Sequence, residues 1–360
     1  MIRGYELLVV SAAGATTGRI VDFGRLSYTQ AVNQVGTLEV TLPPKVAGGV
    51  VGRDVRLEVW VSDDGRVRRD ADTQYLISSI TESASPRGEA EVSVKALSAL
   101  DLLRRRIVQP HATVPSGLYN GASDDIIKHL CLNNWGTAVE DFTRFEPQVS
   151  VEGYLSVAGI VQKGALWRNL LQACQEIAQD ALGLYFDVVL VGEALQLRTW
   201  TGARGTDRTV GARKLTVSPM RGTMIDAAFS RDYSQETNRV YAGGAGQGPG
   251  RRIVSTSDGY RGHLAGPFAL REAFISAGSA DTDAGLLAEG AAALKRGRPK
   301  RTVSGQLADS GTFRYGREWG FGDRLLAELG SETVECIVES VQVTVENGQR
   351  TVSSTLRADD

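Results

Sequence analysis

The chain has 360 residues, a length that favours two or more domains over one compact core. Its formal net charge is -2, from 40 basic and 42 acidic residues, so no overall positive field favours binding to nucleic acid or to an anionic membrane. Hydrophobic residues make up 42% of the chain and glycine occurs 41 times, a composition that indicates a folded protein with many tight turns.

The sequence predicts a protein that is made and retained in a cytoplasm, without a direct membrane anchor. Residues Met1–Tyr5 lack the basic head and long apolar stretch of a signal peptide, and no run of about 18 apolar residues occurs. The three cysteines are far apart and odd in number, so their spacing offers neither a disulfide framework nor a CxxC metal site. We expect reduced, buried thiols at Cys131, Cys174 and Cys336.

Residues 1–100 alternate between apolar and polar side chains, which is the pattern of half-buried β-strands. In Val55–Val61 the odd positions are apolar, so Arg56 and Glu58 are expected on the solvent face. The region predicts an antiparallel sheet rolled into a small barrel or sandwich. Two further strands and one turn are expected at Leu38–Leu42, Val92–Val94 and Asp63–Gly65.

Residues 101–200 change to helical periodicity and are predicted as a compact α+β insertion. A short helix is expected within Ala99–Arg106. A second helix is expected to start at Ser123, whose hydroxyl can cap free N–H groups, with Asp124 and Asp125 in its favourable first turn.

The strongest helical pattern lies at Ala165–Ala181, where apolar residues recur every three or four positions. Gly183 is expected to end this helix, because glycine accepts the left-handed backbone of a helix end. A hairpin-like pair of strands is predicted next, Leu184–Val191 and Ala194–Trp200, with its turn at Gly192-Glu193.

Strand patterns return after residue 201 and are interrupted by a glycine-rich loop, Gly243–Gly250. A helix is predicted over Asp283–Arg296, with an acidic start, a basic end and Gly297 as its C-cap. Asn347-Gly348 is predicted as the turn of a final hairpin. Further strands are expected at Ala227–Ser230, Arg239–Tyr241, Leu270–Ile275, Val341–Val345 and Thr351–Leu356.

The order of these elements predicts a mixed, β-rich α+β protein with two barrel-like β domains and two α+β insertions. We assign residues 1–100 to the first barrel and 101–200 to the first insertion. The second barrel is expected to be discontinuous, formed by 201–235 and 301–360 around a small α+β insertion at 236–300.

No motif predicts a catalytic, cofactor-binding or metal site. Pro249 stands where a dinucleotide-binding loop needs its third glycine, so Gly243–Gly250 is expected to be a mobile surface loop. His129 and Cys131 lie two apart on a predicted helix, which points their side chains in different directions. The histidines lie in different segments without the paired spacing of a zinc site, and single surface or cap residues are expected at His111, His129 and His263.

The acidic and basic residues leave two functional interpretations open, a pair of catalytic acids and a DNA-facing basic surface. Glu140 and Asp141 are adjacent acids in a predicted loop, and a glycosidase can use two acids that only the fold brings together. The clusters Arg104–Arg106 and Arg296–Arg301 could face passing DNA. Solvated faces or helix-end charges are the simpler interpretation of both clusters.

Segments in a consistent order along the chain resemble siphophage tail hub proteins. Phe23–Tyr28 and Asn33–Pro43 are similar to the family's opening strand, glycine turn and alternating strand ending in Leu-Pro, although Val32–Val35 lacks the usual aromatic residue before the turn. Leu102–Arg106 is similar to the junction after the family's first barrel. The likeness continues through Gly205–Thr209, Asn238–Gly244, Gly266–Glu272 and Tyr315–Asp323.

The resemblance implies the phage tail hub fold, shared with contractile-phage baseplate hubs and the N-terminal part of type VI secretion VgrG spikes. Three subunits with two similar barrels each would form a pseudo-sixfold ring that lines the DNA channel. Such a homotrimer is a virion protein of the tail tip, assembled in the host cytoplasm. Its implied partners are the distal tail protein or tail tube above and a spike, fibre or tape-measure protein below.

The resemblance implies no cofactor and no enzyme activity, because a ring matches symmetry without a reactive side chain. Two alternatives remain: a tail-tip peptidoglycan hydrolase that uses a pair of acids, and a distal tail ring subunit.

Overall fold

The computed structural model describes residues 4–48, 52, 55–63, 65–84, 90–181, 183–258, 268–278 and 282–358. Its strands, in chain order, are β1 Gly4–Val10, β2 Thr16–Ile20, β3 Arg25–Ala31, β4 Thr37–Leu42, β5 Arg56–Asp63, β6 Arg66–Arg69, β7 Tyr75–Ala84, β8 Ala90–Ser98, β9 Leu118–Ala122, β10 Val149–Val151, β11 Ile160–Gly164, β12 Leu184–Val191, β13 Ala194–Thr201, β14 Thr216–Val217, β15 Met224–Asp232, β16 Arg239–Gly243, β17 Ile253–Ser257, β18 Glu272–Ser276, β19 Lys300–Leu307, β20 Arg324–Leu329, β21 Glu332–Glu346 and β22 Gln349–Ala358. Its α-helices are α1 Pro44–Ala47, α2 Asp101–Arg104, α3 Ser123–Asn134, α4 Leu170–Ala181 and α5 Asp283–Arg296. No helix in these ranges is long and apolar enough to cross a membrane.

The chain divides into two compact units. One consists of Met1–Ala227 and Ser304–Asp359, and the other of Ala228–Val303. The finer division into two barrels and two insertions stays a prediction. Three features that the sequence singled out lie outside the described residues: Asp64, His263 and Gly266-Pro267.

A sheet of 12 strands forms the centre of the first unit. Its strand order is β14-β20-β21-β3-β4-β8-β7-β5-β1-β2, with β22 added on β21 and β6 on β5. The two ends of the chain meet where β3 pairs antiparallel with β21, so that Tyr28 lies opposite Val343. Strands that belong to the two predicted barrels therefore share one continuous sheet.

The predicted exposure of Arg56 and Glu58 is wrong, because both side chains are only 6% exposed. Glu58 accepts hydrogen bonds from Trp60 Nε1 (3.1 Å) and Gln74 Nε2 (2.8 Å), while Arg56 donates to Ser11 O (3.0 Å). Strand β5 is thus covered on both faces. Alternation identified the strand correctly, but it cannot distinguish a solvated polar face from one that is covered by polar partners.

Helix α4 starts at Leu170, five residues later than the sequence pattern predicted. The segment before it pairs instead with residues 106–108: the N–H of Trp167 donates to Val108 O (2.8 Å) and that of Leu170 to Arg106 O (2.9 Å). Trp167 adopts a φ of 61°, a left-handed conformation that interrupts a right-handed helix. Long-range pairing therefore overrides the local helical periodicity.

The predicted cap of helix α3 is also wrong. The helix covers Ser123–Asn134, but Ala122 is its N-cap residue and no side chain caps it. The hydroxyl of Ser123 is buried, and among the described residues it has no hydrogen-bond partner. Asp124 and Asp125 do lie in the first turn, as predicted.

Predicted turns at glycine and asparagine are confirmed. Gly183 follows α4 with a φ of 64°, and β12 and β13 form the expected hairpin around Gly192, whose φ is 67°. Asn347 and Gly348 have φ values of 51° and 71° between β21 and β22, as a two-residue hairpin turn requires.

The second unit has a three-stranded sheet, β17-β16-β18, with helix α5 packed on one face. The helix has the predicted bounds and the predicted Gly297 C-cap. Gly290 allows the close approach, because a Cβ there would lie 2.6 Å from Thr256 Oγ1. The strand expected at Leu270–Ile275 begins later, at Glu272, and residues 245–250 of the glycine-rich loop are exposed.

The connection between β3 and β4 is tightly packed around Gly36. A Cβ on Gly36 would lie 2.3 Å from the backbone oxygen of Thr29, and backbone cannot move aside as the end of a side chain can. We expect Gly36→Ala to lower the free energy of unfolding by roughly 1–3 kcal/mol in a urea titration. Gly311→Ala is the control, because no heavy atom lies within 4 Å of that position. Equal unfolding midpoints for the two variants would contradict this packing.

Candidate functional site

Strand β22 is long and has one open edge. It pairs antiparallel with β21 over its whole length, and within the described ranges β21 is its only ladder partner. Val352 and Leu356 point into the core, while Thr351 and Thr355 are exposed. An unpaired row of backbone N–H and C=O groups along 10 residues can accept a strand from another chain.

Arg350 attaches the beginning of β22 to the interior. Its side chain is 7% exposed, and Nη2 lies 2.6 Å from Asp309 Oδ1. Nη1 also donates to the hydroxyl of Tyr5 (3.4 Å), which in turn donates to Asp70 Oδ2 (3.0 Å). The C-terminal hairpin is thereby connected to the first strand of the chain.

Asp70 is the acceptor at the centre of this network. It receives hydrogen bonds from Tyr5 and Tyr28, and its Oδ1 lies 2.6 Å from Arg68 Nη1. Burial of the hydroxyl and the negative charge of Asp70 raise the pKa of Tyr28 well above its ordinary value. Tyr28 therefore remains a hydrogen-bond donor over the whole physiological range of pH.

Arg204 forms a second buried ion pair. Nη2 lies 2.8 Å from Asp72 Oδ2 and 3.0 Å from Asp187 Oδ2, and the guanidinium carbon lies 4.2 Å from the ring centroid of Trp200. Burial raises the pKa of Asp187 to about 6, although the charge of Arg204 opposes this rise. One arginine thus connects the segment after β6 with the hairpin β12–β13.

Two of the segments that resemble tail hub proteins meet in space. Asp323 Oδ1 accepts from the N–H of Thr206 (2.7 Å), and Asp323 Oδ2 accepts from Arg208 Nε (2.6 Å). A Cβ on Gly205 would lie 2.6 Å from Asp323 Oδ1, so only glycine fits there. Gly205–Thr209 and Tyr315–Asp323 therefore form one structural feature, which their separation in the sequence conceals.

His111 and His129 lie together, which their sequence spacing did not predict. Their ring centroids are 6.4 Å apart, and His129 Nδ1 lies 3.1 Å from the hydroxyl of Tyr154. Burial and the neighbouring His111 lower the pKa of His129. Within the described part of the chain, no group of three or more His, Cys, Asp or Glu residues is placed to hold a metal ion.

The two adjacent acids considered as catalytic candidates both make structural hydrogen bonds. Glu140 Oε1 accepts from the N–H of Ala112 (2.6 Å). Asp141 Oδ1 accepts from the hydroxyl (2.6 Å) and the N–H (3.0 Å) of Thr143 and thereby caps the short 3-10 helix Phe142–Arg144. These two hydrogen bonds lower the pKa of Asp141. Each carboxylate is thus engaged with a different part of the backbone.

The first arginine cluster lies at a helix end, as the simpler interpretation predicted. Arg104 and Arg105 both pair with Asp101, at 2.5 and 2.8 Å, and Arg106 Nη2 lies 3.9 Å from Glu146. The second cluster begins at a helix end too, because Arg296 lies with the preceding Lys295 in the last turn of α5. The prediction of reduced, buried thiols is confirmed for Cys131, Cys174 and Cys336, none of which forms a disulfide.

A family model described as Siphovirus ReqiPepy6 Gp37-like protein matches residues 6–356. The chain belongs to this Gp37-like family. Its fold is similar to that of the 43 kDa tail protein of prophage MuSo2 from Shewanella oneidensis, with a TM-score of 0.59, 12% identity and 98% of each chain covered. No curated protein sequence matches the chain.

Two further structures share the fold of this Gp37-like protein. The tail protein from Neisseria meningitidis has a TM-score of 0.59 and 14% identity, with 99% of this chain and 97% of that chain covered. A chain of the Francisella PdpA-VgrG complex has a TM-score of 0.52 and 10% identity, with 99% of this chain and 58% of that chain covered. These matches confirm the predicted β-rich fold class of phage tail proteins.

Removal of the Asp70 carboxylate tests the central network. Asp70→Ala leaves Arg68 and two buried tyrosine hydroxyls without their acceptor, so we expect a loss of about 3–5 kcal/mol of unfolding free energy. Glu39→Ala is the control, because it breaks only the exposed pair of Lys95 and Glu39, whose side chains are 59% and 52% exposed. That change should cost about 1 kcal/mol or less. Similar losses in the two variants would show that the network is not central.

The pH dependence of stability tests Asp187. The folded pKa of Asp187, about 6, exceeds the ordinary value of 3.8. Between these two pH values the folded carboxyl therefore holds a proton that the unfolded chain has released. This contribution is complete below about pH 4 and is lost as the pH rises through about 6. Asp187→Asn removes it, so the unfolding free energy of the native chain minus that of the variant should fall across the window. A difference that stays constant, or rises, from pH 4 to 6.5 would contradict the raised pKa.

Proposed function

We propose that this Gp37-like protein is a structural tail hub of a long-tailed phage. Three copies would form a pseudo-sixfold ring that joins the tail tube or distal tail protein to a spike, fibre or tape-measure protein. The fold shared with prophage tail proteins over 98% of the chain supports a place in the virion tail tip after assembly in the host cytoplasm. DNA would be a passing cargo in the lumen of the ring.

The open edge of β22 is the observation on which this proposal rests. A ring subunit needs a surface that continues into its neighbour, and an unpaired strand edge provides directional hydrogen bonds for that purpose. The edge belongs to the sheet that contains strands from both alternating regions of the chain, 1–100 and 301–360. With two such β regions in each copy, three copies would present six to a sixfold tube.

We also propose that the chain has no catalytic function of its own. The acids Glu140 and Asp141 are engaged in separate backbone contacts, which supports a structural role for both. A zymogram with peptidoglycan tests this directly. Clearing that disappears on substitution of one carboxylate would establish the hydrolase alternative.

Imaging of tail particles tests the ring. We expect a density for this chain at the tail tip with three copies around the tail axis. Six copies in a ring at the end of the tube would identify a distal tail ring subunit instead, and a location away from the tail axis would exclude the hub function.

Charges on the open edge should prevent assembly without unfolding the chain. We expect Thr351→Lys with Thr355→Lys to shift the purified protein from trimer to monomer in native mass measurements, because lysine on an edge strand opposes strand addition. Ser93→Lys on the interior strand β8 is the control and should leave the trimer unchanged. A trimer that persists in the double variant would show that β22 is not the assembly edge.

A further inference from the structure

A surface loop in the first unit combines apolar exposure with a complete absence of charge. Gly153–Gln162 contains no charged residue. Within it, Tyr154 is 53% exposed, Leu155 50%, Val157 59% and Ile160 80%. We call Tyr154–Ile160 the apolar loop. Apolar side chains grouped in this way on a surface commonly mark a site of protein contact.

The backbone of the apolar loop is held by two aspartates in the first turn of α3. Asp125 Oδ1 accepts from the N–H groups of residues 155 and 156, at 2.9 and 3.2 Å. The fully buried Asp124 accepts from those of residues 157 and 158, at 3.4 and 3.1 Å. Four consecutive N–H groups are thus bound by carboxylates that belong to a helix.

Further contacts fix the start of the hydrogen-bonded segment. Lys128 is fully buried, and its Nζ donates to Gly153 O (2.9 Å). The Tyr154 hydroxyl lies 3.1 Å from His129 Nδ1, and Ser156 takes a left-handed φ of 53°. Burying a charged group costs free energy unless the group is paired. The buried Asp124 and Lys128 are both paired with the backbone of the loop, and they hold this exposed segment in one conformation.

A loop held in this way loses little conformational entropy when it binds, which favours a preformed docking surface. Its lack of charge also means that covering it requires no desolvation of an ion. The apolar loop is too small to form a stable interface alone. A stable pair of proteins buries about 800 Å² on each partner, and four half-exposed side chains supply only part of that area. The loop therefore adds to an interface that is held together elsewhere.

We propose that the apolar loop docks onto a neighbouring copy of this chain in the assembled ring. This inference rests on the proposed function, which provides a second, strand-edge contact between the same copies. A net charge of only -2 leaves copies of the chain with little mutual repulsion, so apolar contact between them is not opposed by charge.

Leu155→Gln combined with Val157→Gln tests the docking surface in purified full-length protein, because glutamine is polar but adds no charge beside Asp124 and Asp125. Both side chains are exposed, so the thermal unfolding temperature should stay unchanged. Sedimentation velocity over a concentration series should show self-association weakened about tenfold or more. Phe142→Gln is the matched control, because Phe142 is 78% exposed in the same unit but lies outside the loop, and it should change association by about twofold or less. A native chain that stays monomeric throughout, or equal association of both variants, overturns the proposal.

A photo-crosslinking residue at Ile160 in assembled tail particles identifies the occupant. Crosslinks between two copies of this chain are expected, and crosslinks only to another tail protein or to lipid overturn the inference. The outcome is separable from that of the proposed function. Particles with three copies in a ring but an uncovered loop would refute only the docking proposal, whereas particles without such a ring would refute the hub itself.

Discussion

The fold depends on the buried carboxylate of Asp70, which lies directly after β6 and connects strands of the large sheet. Asp70 accepts hydrogen bonds from Tyr5 and Tyr28 and pairs with Arg68, and through Tyr5 it reaches Arg350 at the start of the last strand. A buried charge is tolerated only when all its partners are in place. The network therefore specifies that the two ends of the chain come together, in addition to the apolar packing around it.

For the proposed assembly, the consequence is that the C-terminal hairpin is held in a fixed position. β22 is bound to β21 on one side, and no strand of the described ranges pairs with its other edge; its first residues are attached to the core by Arg350 and Asp309. A strand edge that must pair with another subunit has to hold a defined direction and register. An interior ion pair provides that definition better than a surface pair, because solvent and salt screen the latter.

Polar side chains in the interior were the main difficulty for sequence interpretation. Arg56 and Glu58 look like the solvent face of an alternating strand, and their burial becomes clear only when Ser11, Gln74 and Trp60 are seen around them. His111 and His129 likewise share a site only because α3 and the segment before β9 are adjacent in space. The contact of Asp323 with Thr206 and Arg208 explains two motif segments that were recognised separately.

The sequence by itself determined the local elements and their turns: the hairpin at Asn347-Gly348, the end of α4 at Gly183 and the bounds of α5 follow from neighbouring residues. Propensity, capping and turn geometry act within a few residues, so they can be read without the fold. Only the tertiary structure decided that β3 pairs with β21, where Ser27 and Thr344 are 317 positions apart, and that Trp167 leaves its helix to pair with Val108. Those pairings depend on which distant surfaces fit together, and no local sequence pattern contains that information.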